Sequence, residues 1–377
     1  MQTIDPGEKS GKNGSFARLL NNGDQTYSAL IGALQRARRS IHLEYYIFDD
    51  DRIGQAIAEI LIRRARGGVR VRIIYDLFGS WLPARGMLRR LRKAGVEVHP
   101  FRPLKWNKLW PGINMRNHRQ IAIIDQRIAF LGGINIARRY LEGCELGRWR
   151  DEHLQLQGEA VEELERLFRE DWLMVGGRSY PSSETTDPAS PRIPRVRGVQ
   201  IISSREGKSR RQIEEKLIRL IRSARHELYA STPYLIPPHN LRRALRCAVK
   251  RGVRVLLMIP SRVESRAVGW VAESFYEELL RDGVELYRYE KGFLHSKMMV
   301  SDRKFTYLGT ANLDYRSLRI NWEVGALIED RNFGGDIART FEEDLINCSP
   351  LLLSNHRKRP WLRRLLNGLA RPLAPLF

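Results

Sequence analysis

Short alternating runs and helical runs of apolar positions follow one another along the chain. Residues 27–39 place Ala29, Leu30, Ala33 and Leu34 on one side of a helix. Residues 40–48 then read as a strand, and residues 54–66 as a second helix closed by Gly67-Gly68. Val69, Val71 and Ile73 alternate with Arg70 and Arg72, the period of a strand. Residues 87–93 are helical, and Gly95-Val96-Glu97-Val98 opens another strand. The order then recurs: a helix over 214–223, a strand over 227–231 and a helix over 240–251. Gly252-Val253-Arg254-Val255 corresponds to Gly68-Val69-Arg70-Val71, and Gly283-Val284-Glu285-Leu286 to Gly95-Val96-Glu97-Val98. Strands alternating with helices predict an α/β protein with mixed sheets, and the recurrence predicts two similar α/β sandwich domains. Residues 176–197, with Pro181, Pro188, Pro191 and Pro194, lack either period and read as a linker. The expected division is an N-terminal extension over 1–19, a domain over 20–176, a linker over 177–198, a domain over 199–350 and a tail over 351–377.

Charge narrows the partners. The 377 residues hold 65 Lys and Arg against 43 Asp and Glu, a net charge of +22. Such a surplus attracts a polyanion, either nucleic acid or an anionic membrane face. No stretch approaches the roughly 20 apolar residues of a membrane span, so membrane contact is expected to be peripheral. Cys144, Cys247 and Cys348 are too far apart for a disulfide framework or a metal-site spacing and suit a reducing compartment. In the tail, Trp361, Leu362, Leu365, Leu366 and Leu369 lie on one helical face. Arg357, Lys358, Arg359, Arg363, Arg364 and Arg371 accompany them with no acidic residue, and Pro372 and Pro375 should end the helix. The expectation is an interfacial helix on anionic lipid; the alternative is a helix docked on the protein's own surface. Lys105, Trp106, Lys108, Leu109, Trp110 and Met115 crowd a loop over 101–117 that suits a membrane interface or packs back on its domain.

Candidate chemistry lies in two matching stretches. His295 and Lys297 are two apart, so on a strand they share a face, while Met298 to Val300 bury it from behind. An imidazole beside an ammonium suits a phosphate: one holds the anion, the other attacks it or passes a proton. Asp302 follows, then Gly309 and Asn312. The upstream copy has His118, Asp125, Gly132 and Asn135, each 177 residues before its counterpart.

These paired motifs resemble those of the phospholipase D superfamily, marked by two copies of His-x-Lys-x4-Asp, each followed by a Gly-rich segment and an Asn. Asn117-His118-Arg119, Gly132-Gly133-Ile134-Asn135, Trp149-Arg150-Asp151 and Thr232-Pro233-Tyr234-Leu235-Ile236-Pro237 are most similar to bacterial cardiolipin synthases. The resemblance spans roughly residues 20 to 350. One position departs from it: Gln120 stands where the motif has Lys. Gln donates a hydrogen bond but carries no charge.

The resemblance implies two phospholipase D-like domains packed face to face around one active site. His118 would be the nucleophile and His295 the acid/base, with Lys297 on the phosphate. Asp125 and Asp302 complete the catalytic motifs, and read as structural partners rather than bases. Gln120, Asn135 and Asn312 would bind substrate, and Asp151 and Glu323 would orient imidazoles. No metal or cofactor is implied. The implied reaction makes cardiolipin, with phosphatidylglycerol as donor and acceptor, through a phosphatidyl-histidine intermediate. The implied partner is an anionic phospholipid membrane, with the protein peripheral on the cytoplasmic face of a bacterial inner membrane. The same site also suits phospholipid hydrolysis, or a nuclease, which +22 fits. A binding protein with a weakened site is the remaining alternative. The amphipathic tail weighs against the nuclease, and the intact second motif against complete decay.

Overall fold

The structure, a computed structural model, describes residues 14–101, 115–181, 193–207 and 209–377, without the side chains of 81–83. Most of the expected N-terminal extension and of the aromatic loop, and half of the linker, lies outside these residues. The chain divides into two compact units. The N-terminal unit holds residues 14–142 and Glu152–Ile201; the C-terminal unit holds Gly143–Asp151 and Ile202–Phe377.

In chain order the strands are β1 (Ser15–Asn21), β2 (Ser40–Tyr45), β3 (Arg70–Asp76), β4 (Glu97–Phe101), β5 (Gln120–Ile124), β6 (Ile128–Gly132), β7 (Arg148–Arg150), β8 (Glu152–Gly158) and β9 (Arg195–Val196). They continue as β10 (Val199–Ser204), β11 (Glu227–Ser231), β12 (Arg254–Pro260), β13 (Glu285–Tyr289), β14 (Gly292–Leu294), β15 (Met298–Ser301), β16 (Phe305–Gly309), β17 (Glu323–Glu329) and β18 (Cys348–Pro350). The first sheet runs β4-β3-β2-β5-β6-β8-β1-β9, and the second β13-β12-β11-β15-β16-β17-β10, with β18 added beyond β13. Seven strands correspond in order; only β9 and β18, at opposite ends, have no counterpart. In each sheet the first three strands are parallel and the fourth antiparallel. The duplication predicted from the sequence is therefore present as two mixed sheets.

Two differences have physical causes. Ser15–Asn21 is not extension but β1, hydrogen-bonded along its length to β8; its pairing partner lies far away in sequence. The helix expected over 87–93 begins at Leu77, because the Asp76 carboxylate accepts from the N–H groups of Phe78 and Gly79 and caps it. Arg72, a polar position in the alternation of β3, is buried: helix Glu159–Met174 covers that face of the first sheet. Its guanidinium lies 3.9 Å from the Tyr180 ring centroid and 3.1 Å from both His42 Nε2 and a Glu97 oxygen. This face carries a buried polar layer, with His42 Nδ1 2.9 Å from Glu165.

Both motif aspartates sit in hairpin turns rather than on the strands. Asp125 and Gln126 have φ of 52° and 57°, and Asp302 and Arg303 have 49° and 50°, the double positive φ of a tight two-residue turn. The Asp125 carboxylate accepts from the N–H groups of Arg38, Arg39 and Ser40 at 2.9, 2.6 and 2.9 Å. Asp302 accepts from Arg225, His226 and Glu227 at 2.9, 2.8 and 3.1 Å. Each carboxylate thus ties a hairpin to the start of the neighbouring strand. Asp302→Ala is expected to destabilise the protein by about 2–4 kcal/mol, three backbone donors losing a charged acceptor at a strained φ. Asp302→Asn, which tolerates this φ and keeps an acceptor, should cost less. Denaturation midpoints of the two variants check this, and activity per folded molecule should survive in both.

The tail also differs. Trp361–Ala370 is a helix, continued through both prolines as a 3-10 turn over Arg371–Leu376. It docks on helix Arg266–Arg281 by its basic face, which leaves the apolar face outward. Arg359 and Arg363 pair with Glu273, Arg371 with Glu278 and Arg357 with Glu277. Burial alone would raise the Glu273 carboxyl, but Arg363 and Arg359 outweigh it and hold it below its ordinary value. A depressed carboxylate contributes stability above its unfolded pKa and loses it as pH falls through the folded one. The tail is therefore docked at neutral pH.

Candidate active site

The second motif straddles a junction between strands. β14 pairs in parallel with β7, the short strand that the chain sends across from the middle of its first half. Two glycines permit that approach. A Cβ on Gly292, where φ is 153°, would sit 2.1 Å from the Arg148 carbonyl oxygen, and one on Gly147 would lie 3.0 Å from the Gly292 Cα. β7 is held from behind by Arg150, whose Nε lies 2.6 Å from Asp344 Oδ2. The His295 N–H donates to the Arg150 carbonyl at 2.8 Å, which sets the next residue, Asp151, against the imidazole.

Asp151 Oδ2 lies 2.6 Å from His295 Nδ1. An ionised carboxylate only accepts, so Nδ1 carries the proton and the ring's lone pair is on Nε2. Lys297 Nζ lies 2.8 Å from the same Nδ1 and 4.0 Å from Asp151 Oδ2. A protonated Nδ1 cannot accept from it; the ammonium donates instead to the His295 carbonyl. His295 and Lys297 do present their side chains to one place, although both precede β15 instead of lying on it. The rings of Trp149 and His295 are tilted with centroids 4.9 Å apart, fixing the imidazole plane.

The other predicted members of this half differ in how they are used. Asn312 is buried, and its Oδ1 has no hydrogen-bond partner among the described residues. Glu323 is wholly buried and accepts from the Thr310 hydroxyl. Thr310 also accepts from the Val324 N–H at 3.0 Å. The carboxylate on His295 Nδ1 is that of Asp151.

In the N-terminal unit, His118 lies two residues before the start of β5. Its neighbours on both sides are pinned. The Asn117 N–H donates to Asp76 at 3.0 Å and its amide to Glu44 at 2.6 Å. Arg119 is wholly buried, paired with Asp171 and 3.7 Å from Glu44. Burial raises the Glu44 carboxyl, against the pull of Arg119 and of the Asn117 amide. Arg119 is thus committed to this polar layer, as expected for a residue whose neighbour on the strand faces the other way. The rings of Tyr46 and His118 meet edge to face at 5.0 Å.

Gln120 is wholly buried, and neither its amide oxygen nor its amide nitrogen has a partner among the described residues. Its side chain is uncommitted within the fold, opposite Tyr45 across the ladder. Asn135, the motif counterpart of Asn312, is buried with Oδ1 accepting from the Ile47 N–H at 2.9 Å and Nδ2 donating to the Tyr140 hydroxyl at 2.8 Å. It bridges the end of β2 to the chain after β6. His153 is also buried, and burial pushes its pKa down to about 3, so it is a neutral ring of the core.

Asp344, Arg150, Trp149 and Thr310 escaped the sequence reading as supporting residues. Their signal is a contact across sequence, invisible to spacing. The C-terminal half-site can hold an anion on Lys297 and exchange a proton at His295 Nε2, with Asp151 stabilising the imidazolium.

A family model described as cardiolipin synthase, PLD-like domain, matches residues 30–172 and 217–345. Cardiolipin synthase 2 of Bacillus anthracis is 38% identical over 361 residues, covering 96% of this chain and 70% of that protein. The cardiolipin synthase of Geobacillus sp. (strain WCH70) is 38% identical over 361 residues, covering 96% of this chain and 72% of that one. The crystal structure of phosphatidylserine synthase from Haemophilus influenzae Rd KW20 shares the fold, with a TM-score of 0.70 at 14% identity, covering 96% of this chain and 95% of that one. The chain therefore belongs to the cardiolipin synthase, PLD-like domain family and is an enzyme of the phospholipase D superfamily.

Proposed function

We propose that this protein is a phosphatidyltransferase that makes cardiolipin from two molecules of phosphatidylglycerol. The observation that carries the chemistry is the buried Asp151–His295–Lys297 cluster. The similarity to cardiolipin synthases supports the choice of substrate. His118 attacks the phosphorus of the donor and forms a phosphatidyl-histidine. His295 protonates the departing glycerol oxygen. The hydroxyl of a second phosphatidylglycerol then gives its proton to His295 and attacks the same phosphorus, freeing His118. Lys297, Gln120 and Asn312 hold the phosphate oxygens as charge develops. Asp125, Asp302 and Asn135 serve the scaffold. The enzyme works from the cytoplasmic face of the membrane; among the described residues no helix is long and apolar enough to cross it.

Labelled phosphatidylglycerol should yield cardiolipin and free glycerol, and a rapid quench should capture label on a histidine. Phosphatidic acid as the main product in the presence of excess acceptor would replace this reading with a hydrolase.

Gln120 makes one half of the phosphate clamp neutral. A positioned cation stabilises the transition state more than the ground state. Gln120→Lys is therefore expected to raise the single-turnover transfer rate by about 10²–10³-fold with unchanged products, by analogy with loss of one preorganised donor. Arg119 cannot supply the charge, because it is spent on Asp171 and Glu44. An equal or slower variant at matched stability would remove Gln120 from the clamp and make it a fitted neutral donor.

A further inference from the structure

The tail's outward face is the apolar one. Trp361 is 74% exposed, Leu362 54%, Leu365 48%, Leu369 66%, Leu373 48% and Leu376 56%. The inward face is made of His356, Arg359, Arg363, Asn367, Arg371 and Ala374. Its arginines seat on Glu273 and Glu278 of the helix beneath, and Ala374 joins the core of the C-terminal unit. The far end is pinned as well: the Arg316 N–H donates to the Phe377 carbonyl at 2.9 Å, and Arg316 Nη1 to that of Leu376 at 3.3 Å. Six large apolar side chains are thus held toward solvent on an element fixed at several points, the sort of patch that marks an interaction surface.

We infer that this face is a bilayer-insertion surface: Trp361 and the leucines enter the boundary between headgroups and acyl chains, while the arginines opposite clamp the helix to the protein. The inference rests on the reading that the enzyme acts on membrane phospholipid. Charge selects a bilayer over a second copy of this chain. The tail has no acidic residue, and Lys358 before the helix and Arg364 on it are both exposed and available to anionic headgroups. An aromatic and aliphatic face accompanied by cations is the composition of a helix lying in the membrane interface. Because four of the six tail cations are paired internally, insertion, not headgroup attraction, supplies most of the tail's contribution.

Leu365→Glu/Leu369→Glu in the full chain tests this; both positions face solvent, so folding is not at stake. Sedimentation with phosphatidylcholine vesicles and with phosphatidylglycerol vesicles should show partitioning weakened about 10- to 100-fold in the variant. High salt should leave the parent's binding to the neutral vesicles unchanged. Turnover of a short-chain, monomeric phosphatidylglycerol should match the parent. Equal sedimentation of parent and variant overturns the inference, as does a parent dimer that the variant loses while its vesicle binding is kept. If neither protein turns over the short-chain lipid and the difference on vesicles persists, the catalytic reading fails and the insertion surface stands.

Discussion

His295→Ala is expected to lower phosphatidyl transfer by about 10²–10⁴-fold, the range for losing a positioned general acid and base. His118→Ala should cost about 10⁴-fold or more, because it removes the proposed nucleophile and with it the covalent intermediate. The two losses should differ in kind. With a donor whose leaving alcohol needs no proton, such as an activated aryl ester, the His295 variant should recover most of its burst of released alcohol, and the His118 variant none. The backbone of His295 is held by the Arg150 carbonyl independently of its side chain, so the variant should fold. A His295→Ala protein turning over at the parental rate would end the two-histidine mechanism.

Asp151→Asn is the second large effect, about 10³–10⁴-fold in rate, by analogy with replacing the buried carboxylate of a catalytic triad. Asp151 acts through His295, so its test needs a readout that scaffold damage would not move. The carboxylate 2.6 Å from Nδ1 favours the imidazolium. Its loss lowers the imidazole pKa, so the protonated acid form survives only to a lower pH. The alkaline limb of the pH–rate profile should therefore move toward acid in Asp151→Asn. Asp151→Glu, if the longer side chain is accommodated, should restore the limb but not the full rate. An unchanged limb with a lowered rate would reduce Asp151 to a packing residue.

Much of the site was legible because its residues are local. The His, Lys and Asp of the second motif fall within eight positions of one another, and the duplicate lies a constant distance upstream. Strand periodicity assigned faces correctly where both neighbours are short-range, as for Arg119 and Gln120. It does not reveal that Arg72 is buried, because the helix that covers its face, Glu159–Met174, lies far along the chain. The sequence also pointed to Asp151 through its family context, yet not to the means of its delivery. That depends on Gly147 and Gly292 letting two backbones touch across a gap of more than a hundred residues.

Periodicity and spacing carry the duplicated α/β frame, the motif histidines with their Lys and Gln, and the amphipathy of the tail. Each is written in periods and spacings that a chain carries before it folds. The rest depends on contacts between residues far apart in the chain. Asn135 is spent on Ile47 and Tyr140 while Asn312 keeps an uncommitted oxygen, although both hold the same motif position. The tail is the clearest case. Its pattern shows two faces but not which one is buried, since that is set by what lies beneath. Burying leucines would have been the default. The carboxylates of Glu273, Glu277 and Glu278 beneath the tail take its arginines instead, and the apolar face is the one left outward.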